Sequence, residues 1–165
     1  MMITLTGFMG SGKTTVGKVL ADFLGCPFMD LDDLVVKKAG KSIPDIFAQD
    51  GEPAFRQLEA QVLRKTVEKY AESTAVLALG GGAVLAPASA ALLRDKTVCI
   101  YLRATLETLL ARLEGETAGR PLADDALADR LASRTPIYEK TAHVIVDTDG
   151  LSPDEVADEI IISAL

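Results

Sequence analysis

The 165-residue chain is 48% apolar and carries 24 acidic against 17 basic side chains, for a formal net charge of -7 and a pI near 4.7. That length supports one well-packed domain and is short for two, so a single domain over residues 1–165 is expected. The acidic balance excludes a generic nucleic-acid or anionic-membrane surface, which needs a basic face; partners are expected to be small molecules, with any anion held by a few local Lys and Arg residues.

The first apolar run, Met2 to Thr6, leads directly into Gly7-Phe-Met-Gly-Ser-Gly-Lys13-Thr14, which fits the phosphate-binding pattern G-x-x-x-x-G-K-[ST] at every fixed position. Glycines at 7, 10 and 12 allow the backbone to wrap an anion with its N–H groups inward. Val16, Val19, Leu20 and Phe23 then recur at helical spacing, which sets the positive end of a helix under the phosphates. Gly10, Ser11, Gly12, Lys13, Thr14 and Thr15 are thus the expected binding residues for the phosphates of ATP. Lys13 supplies a mobile charge, and the Thr14 hydroxyl is a Mg²⁺ ligand.

A second short run, Phe28 to Asp30, ends in Asp30-Leu31-Asp32-Asp33. Two residues apart on a strand, Asp30 and Asp32 would leave on one face and converge on the phosphate loop, Asp30 serving the metal and Asp32 orienting or deprotonating an acceptor hydroxyl. Asp33 reads as the cap of the next helix. From Leu34 to Ala71 the pattern is more than one helix, with Ser42 as a helix start and Gly51 as a break; a substrate-binding insertion over about residues 31–71 is expected.

Further strands are expected at Ala75 to Leu79, Thr97 to Leu102 and Val144 to Asp147. Apolar strands alternating with helices indicate a parallel sheet covered on both faces, an α/β sandwich whose ligands lie at the carboxyl ends of the strands. Gly80-Gly81-Gly82 stands at such an end and is expected to offer backbone N–H groups to an anion. No acid follows this third strand, which leaves the metal to Asp30.

The segment Glu114 to Asp125 is polar, contains Gly and Pro, and reads as part of a lid over about residues 112–125. Arginines can pair bidentately with carboxylate or phosphate. Arg56 follows Phe55, Arg120 precedes Pro121 and Arg134 opens Arg-Thr-Pro-Ile-Tyr138, contexts that single them out with Arg112, while Arg94, Arg103 and Arg130 have no such context. Phe47, Phe55 and Tyr138 are core residues or an apolar wall around a small ring. His143, the sole histidine, reads as structural. The last helix is expected to start at Ser152-Pro153.

Cys26 and Cys99 lie far apart in no metal-like spacing and read as small buried hydrophobes. No charged-then-apolar leader precedes the phosphate loop, and no apolar run approaches the ~20 residues that span a bilayer; a cytoplasmic monomer is expected. A guanine-nucleotide switch would carry an Asn-Lys-x-Asp segment, and this chain has no asparagine.

Taken together, the ordered segments Gly-Phe-Met-Gly-Ser-Gly-Lys-Thr-Thr-Val-Gly, Phe-Met-Asp-Leu-Asp-Asp, Gly-Glu-Pro-Ala-Phe-Arg, Leu-Gly-Gly-Gly-Ala-Val, Gly-Arg-Pro-Leu and Arg-Thr-Pro-Ile-Tyr resemble the shikimate kinases. The resemblance covers essentially the whole chain. It implies the phosphate-loop kinase fold, a five-stranded parallel sheet between helices, and ATP-dependent phosphorylation of the 3-hydroxyl of shikimate with Mg²⁺. It further implies that Asp32, Arg56, Arg134 and the Gly80 to Gly82 backbone bind shikimate, with Phe47 and Phe55 as pocket walls. Asp30 would serve the metal, Arg120 the phosphates and Arg112 the adenine. A gluconate kinase of the same fold is the alternative, since both acceptors are hydroxylated carboxylates.

Overall fold

The computed structural model of the protein describes residues 1–116 and 124–165. Five parallel strands form one sheet in the order β2-β3-β1-β4-β5: β1 (Met2–Thr6), β2 (Phe28–Asp30), β3 (Ala75–Ala78), β4 (Val98–Arg103) and β5 (Val144–Asp147). β1 is therefore central, and the loop that follows it opens between the carboxyl ends of β3 and β4. Each strand falls within a residue of its expected bounds.

Period-two alternation along β1 divides the core. Ile3 and Leu5 face α1 (Lys13–Leu24) and α8 (Pro153–Ala164), where Val16, Leu20, Val156 and Ile160 are buried. Met2 faces the opposite layer, where Leu77, Tyr101 and Tyr138 pack with helices α2 (Leu31–Ala39), α4 (Glu52–Lys69) and α7 (Asp124–Thr141). The remaining helices are α3 (Ile43–Gln49), α5 (Pro87–Lys96) and α6 (Leu106–Glu116). Each fully buried Leu or Ile in these layers contributes about 1.5–3 kcal/mol. Phe23 departs from the expected apolar stripe of α1: it lies in the last turn, beyond the sheet's cover, and is 68% exposed.

Helix starts are written in local chemistry. Asp30 caps α2, its Oδ1 accepting the Asp32 N–H at 2.9 Å, so Asp33 is not the cap. Ser42 caps α3, and Ser152 with Glu155 forms a reciprocal capping box on α8. Because β2 ends at Asp30, Asp32 sits in the first turn of α2 rather than on the strand. The two carboxylates do not share a strand face; the turn from strand to helix separates them.

His143 is structural as expected, its Nδ1 accepting the Cys99 N–H at 3.0 Å and its Nε2 lying 2.9 Å from the Arg94 carbonyl. Cys99 is buried, whereas Cys26 is only partly so. Among the described residues no helix is long and apolar enough to cross a membrane.

Candidate active site

Two cavities open at the carboxyl ends of the strands, one on each side of the phosphate loop. The first, about 350 Å³, is bounded by Gly10 to Val16, Arg112, Thr148 and Leu151. Its floor is the start of α1, whose N-cap Gly12 has φ 93°, a left-handed conformation that a side chain would strain. Lys13 reaches back across the loop, its Nζ donating to the carbonyls of Gly7 at 2.8 Å and Phe8 at 2.9 Å. Loss of water around this ammonium lowers its pKa to about 8, against the opposing pull of Asp32 and Asp30. Arg112 joins the loop to the end of β5: its guanidinium donates to the Gly10 carbonyl at 3.1 Å and the Thr148 carbonyl at 3.3 Å.

Thr14 and Asp30 meet at the boundary between the cavities, the hydroxyl donating to Asp30 Oδ2 at 2.9 Å. Asp30 thus spends one oxygen on the cap of α2 and turns the other toward the phosphate loop. Among the described residues no cluster of His, Cys, Asp or Glu could hold a metal by itself. A hydroxyl beside a single carboxylate oxygen fits Mg²⁺, which keeps most of its water and takes the rest of its shell from phosphates.

The second cavity, about 280 Å³, collects Asp32 from α2, Phe47 from α3, Arg56 from α4, the Gly80 to Gly82 turn after β3 and Arg134 from α7. Phe47 and Phe55 stack at 4.9 Å as one wall, Phe55 buried and Phe47 38% exposed toward the opening. Burial raises the Asp32 pKa, Asp30 adds to the rise, and Lys13 and Arg56 oppose it. The glycines act here by leaving out side chains. A Cβ on Gly80 would fall 3.0 Å from Asp32 Oδ1, and one on Gly82 would collide with the Arg56 guanidinium. Tyr138 holds the turn from the other side, its hydroxyl donating to the Gly81 carbonyl.

The structure thus brings Asp32, Phe47, Phe55, Arg56, Gly80, Gly81, Gly82 and Arg134 into one cavity, and Gly10 to Thr15 with Arg112 into the other. Arg120, and with it half of the segment read as a lid, lies outside the described residues. Several contributors were not legible. Glu59, buried, accepts from Arg56 Nη1 at 2.9 Å, and its own pKa is raised by burial against that pull; the i,i+3 spacing from Arg56 was the available signal. Arg130, which had no context in the sequence, also lines the second cavity, one helical turn before Arg134. Thr148 and Leu151 follow β5, and the strand-end rule applied there would have found them.

A phosphate loop on the central strand of a parallel sheet, beside a cavity that pairs a carboxylate with guanidiniums, defines a phosphate-loop kinase acting on a small anionic acceptor. The family model for shikimate kinase matches residues 9–164. Shikimate kinases of Enterococcus faecalis and Geobacter sulfurreducens are 43% and 44% identical, over 96% of this chain and 95% and 87% of their own. Shikimate kinase from Acinetobacter baumannii, solved in complex with shikimate, superposes with a TM-score of 0.87 at 35% identity, covering 97% of this chain and 90% of that one. The Aquifex aeolicus enzyme does so at 0.84 and 36%, covering 99% and 95%. The chain belongs to the shikimate kinase family.

Proposed function

We infer that the protein transfers the γ-phosphoryl group of ATP to the 3-hydroxyl of shikimate, giving shikimate 3-phosphate and ADP within chorismate and aromatic amino acid biosynthesis. The observation that carries this reading is the second cavity. It sets the Asp32 carboxylate and the Arg56–Glu59 pair, with Arg134 and Arg130, around a glycine turn next to the phosphate-loop lysine.

In this reading the residues divide between positioning and charge. Gly10 to Thr15 hold the phosphates through the loop backbone and the start of α1. Lys13 leaves its carbonyl partners for the β/γ oxygens. Arg56 and Arg134 take the acceptor carboxylate, Arg56 being held in place by Glu59. Phe47 and Phe55 cover the ring. Asp32 accepts a hydrogen bond from the attacking hydroxyl and keeps it in line; burial, and after it the neighbouring Asp30, raises its pKa, which suits it to take the proton. Thr14 and Asp30 would hold Mg²⁺, which would supply positive charge beside the phosphates of ATP. Arg120 adds positive charge to the transferred group, and Arg112 lies on the adenine. The protein works as a monomer in the cytoplasm.

The test is a coupled assay of purified protein with ATP against shikimate, quinate, gluconate and nucleoside monophosphates. Turnover is expected with shikimate above all others. Preference for gluconate would move the protein to another acceptor class on the same fold. Arg56→Ala and Arg134→Ala should each weaken acceptor binding by roughly 2–5 kcal/mol, the range for unpairing a buried charge, with ATP affinity kept.

A further inference from the structure

Five charged side chains line the acceptor cavity among the described residues: Asp32, Arg56, Glu59, Arg130 and Arg134. Their balance is informative. Arg56 is engaged by buried Glu59 at 2.9 Å, so that pair is neutral. The other three, Asp32, Arg130 and Arg134, sum to one positive charge, so neutralising the exposed Arg130 would leave the described lining with none.

Arg130 differs from the other two arginines in setting. It is exposed where Arg56 and Arg134 are half-buried, and like Arg134, but unlike Arg56, its guanidinium makes no ion pair among the described residues. Arg134 lies four residues on along α7, so both leave the same face of the helix, Arg134 inward and Arg130 at the rim. The chain as a whole carries -7, a background that repels a carboxylate arriving from solvent.

We propose that Arg130 is the residue that makes the acceptor cavity attractive to an anion, drawing the acceptor in through its field rather than by a fixed bidentate contact. This rests on the cavity being the shikimate site. A charge at the rim acts on encounter and weak association and is screened by salt, whereas a desolvated pair deeper in is not. It selects for anionic acceptors as a class, and leaves recognition of the particular ring to the residues beneath it.

The experiment measures steady-state kinetics of the wild type, Arg130→Gln, Arg130→Lys and Arg130→Glu at low salt and at ~1 M KCl, where the Debye length falls to about 3 Å. At low salt Arg130→Gln is expected to raise the shikimate KM about two- to fivefold, the range for one exposed charge. The loss should sit in KM rather than kcat and leave the ATP KM in place. Arg130→Lys should restore the wild-type value and Arg130→Glu should exceed Arg130→Gln. At high salt the differences should collapse. An unchanged shikimate KM in Arg130→Gln, a salt-independent loss, or failure of Arg130→Lys to rescue would each overturn the inference. The wild type separates this from the wider reading: absence of shikimate turnover in it overturns the proposed function, while normal turnover with an unaffected Arg130→Gln overturns this inference alone.

Discussion

The Arg56 guanidinium occupies the space where Gly82 would carry a side chain: a methyl group built there lies 2.6 Å from Arg56 Cζ. Gly82 has φ -105°, which any residue can adopt, so the glycine is required for room and not for backbone freedom. Gly82→Ala should fold with a Tm near wild type, because the displaced atoms belong to a long flexible side chain. Its shikimate KM should rise tenfold or more, about 1.4 kcal/mol of acceptor binding. A normal KM in a folded Gly82→Ala protein would detach Arg56 from the acceptor.

Lys13 predicts a pH dependence with a definite sign. Its ammonium has a pKa of about 8 against an ordinary 10.5, so the folded protein releases this proton before the unfolded chain does. Between those values the unfolded state binds more protons and folding stability rises with pH. Activity runs the other way, since the charged form serves the phosphates: kcat/KM for ATP should fall above about pH 8, while kcat, measured with phosphates already beside the ammonium, should hold to higher pH. Lys13→Met should lose far more than tenfold in turnover, over ~1.4 kcal/mol. Any gain it shows in stability at pH 7 should shrink as pH rises toward 10. Parallel pH profiles and thermal melts check both.

The carboxylates at the end of β2 should separate by their response to metal. Asp30→Asn keeps a capping side chain on α2, since Asn caps as well as Asp, and so should melt near wild type while requiring more Mg²⁺ for half-maximal rate. Asp32→Asn should bind nucleotide normally but lose most of kcat at every Mg²⁺ concentration. It should also lose the acid limb of the pH–rate profile, which in the wild type is moved upward from an ordinary aspartate's because burial raises the Asp32 pKa. Rescue of Asp32→Asn by excess Mg²⁺ would reverse the two assignments.

How far these residues could be read without coordinates depended on the range of the constraint. The phosphate loop, the strand ends and the caps at Ser42 and Ser152 are local: a few neighbouring residues fix the backbone, and the sequence shows all of them. The five-stranded parallel sheet followed from apolar runs alternating with helices, and similarity to solved shikimate kinases supports the same fold. Phase was harder. The run Phe28 to Asp30 ends where β2 ends, but a shared strand face for Asp30 and Asp32 does not follow, because α2 begins directly at Leu31 and sets Asp32 on helical phase. Glu59 had only its i,i+3 spacing from Arg56 to mark it, and Arg130 became visible only when its helix was set against the Gly80 to Gly82 turn, a contact between segments distant in sequence.

Tyr138 bears on the same turn from α7. Its buried hydroxyl donates to the Gly81 carbonyl, so Tyr138→Phe should leave the ring packing with Tyr101 intact and free the turn to move. A rise in shikimate KM worth roughly 0.5–1.5 kcal/mol, with less change in Tm than a large-to-small core substitution gives, is expected. Equal losses in ATP and shikimate affinity would show a general loosening instead.

Asp30 stands astride the two cavities, with one oxygen on Thr14 at the phosphate loop and the other on the Asp32 backbone at the start of α2. A shift of this carboxylate on the nucleotide side is expected to carry over to Asp32 on the acceptor side, so that the two binding equilibria are coupled. Thermodynamic reciprocity then fixes the bookkeeping: whatever factor nucleotide contributes to the affinity for shikimate, shikimate must return to the affinity for nucleotide. Asp30→Ala, which removes both hydrogen bonds, should bring the coupling factor of the two substrates toward unity, whereas Asp30→Asn, which keeps the bond to α2, should retain part of it.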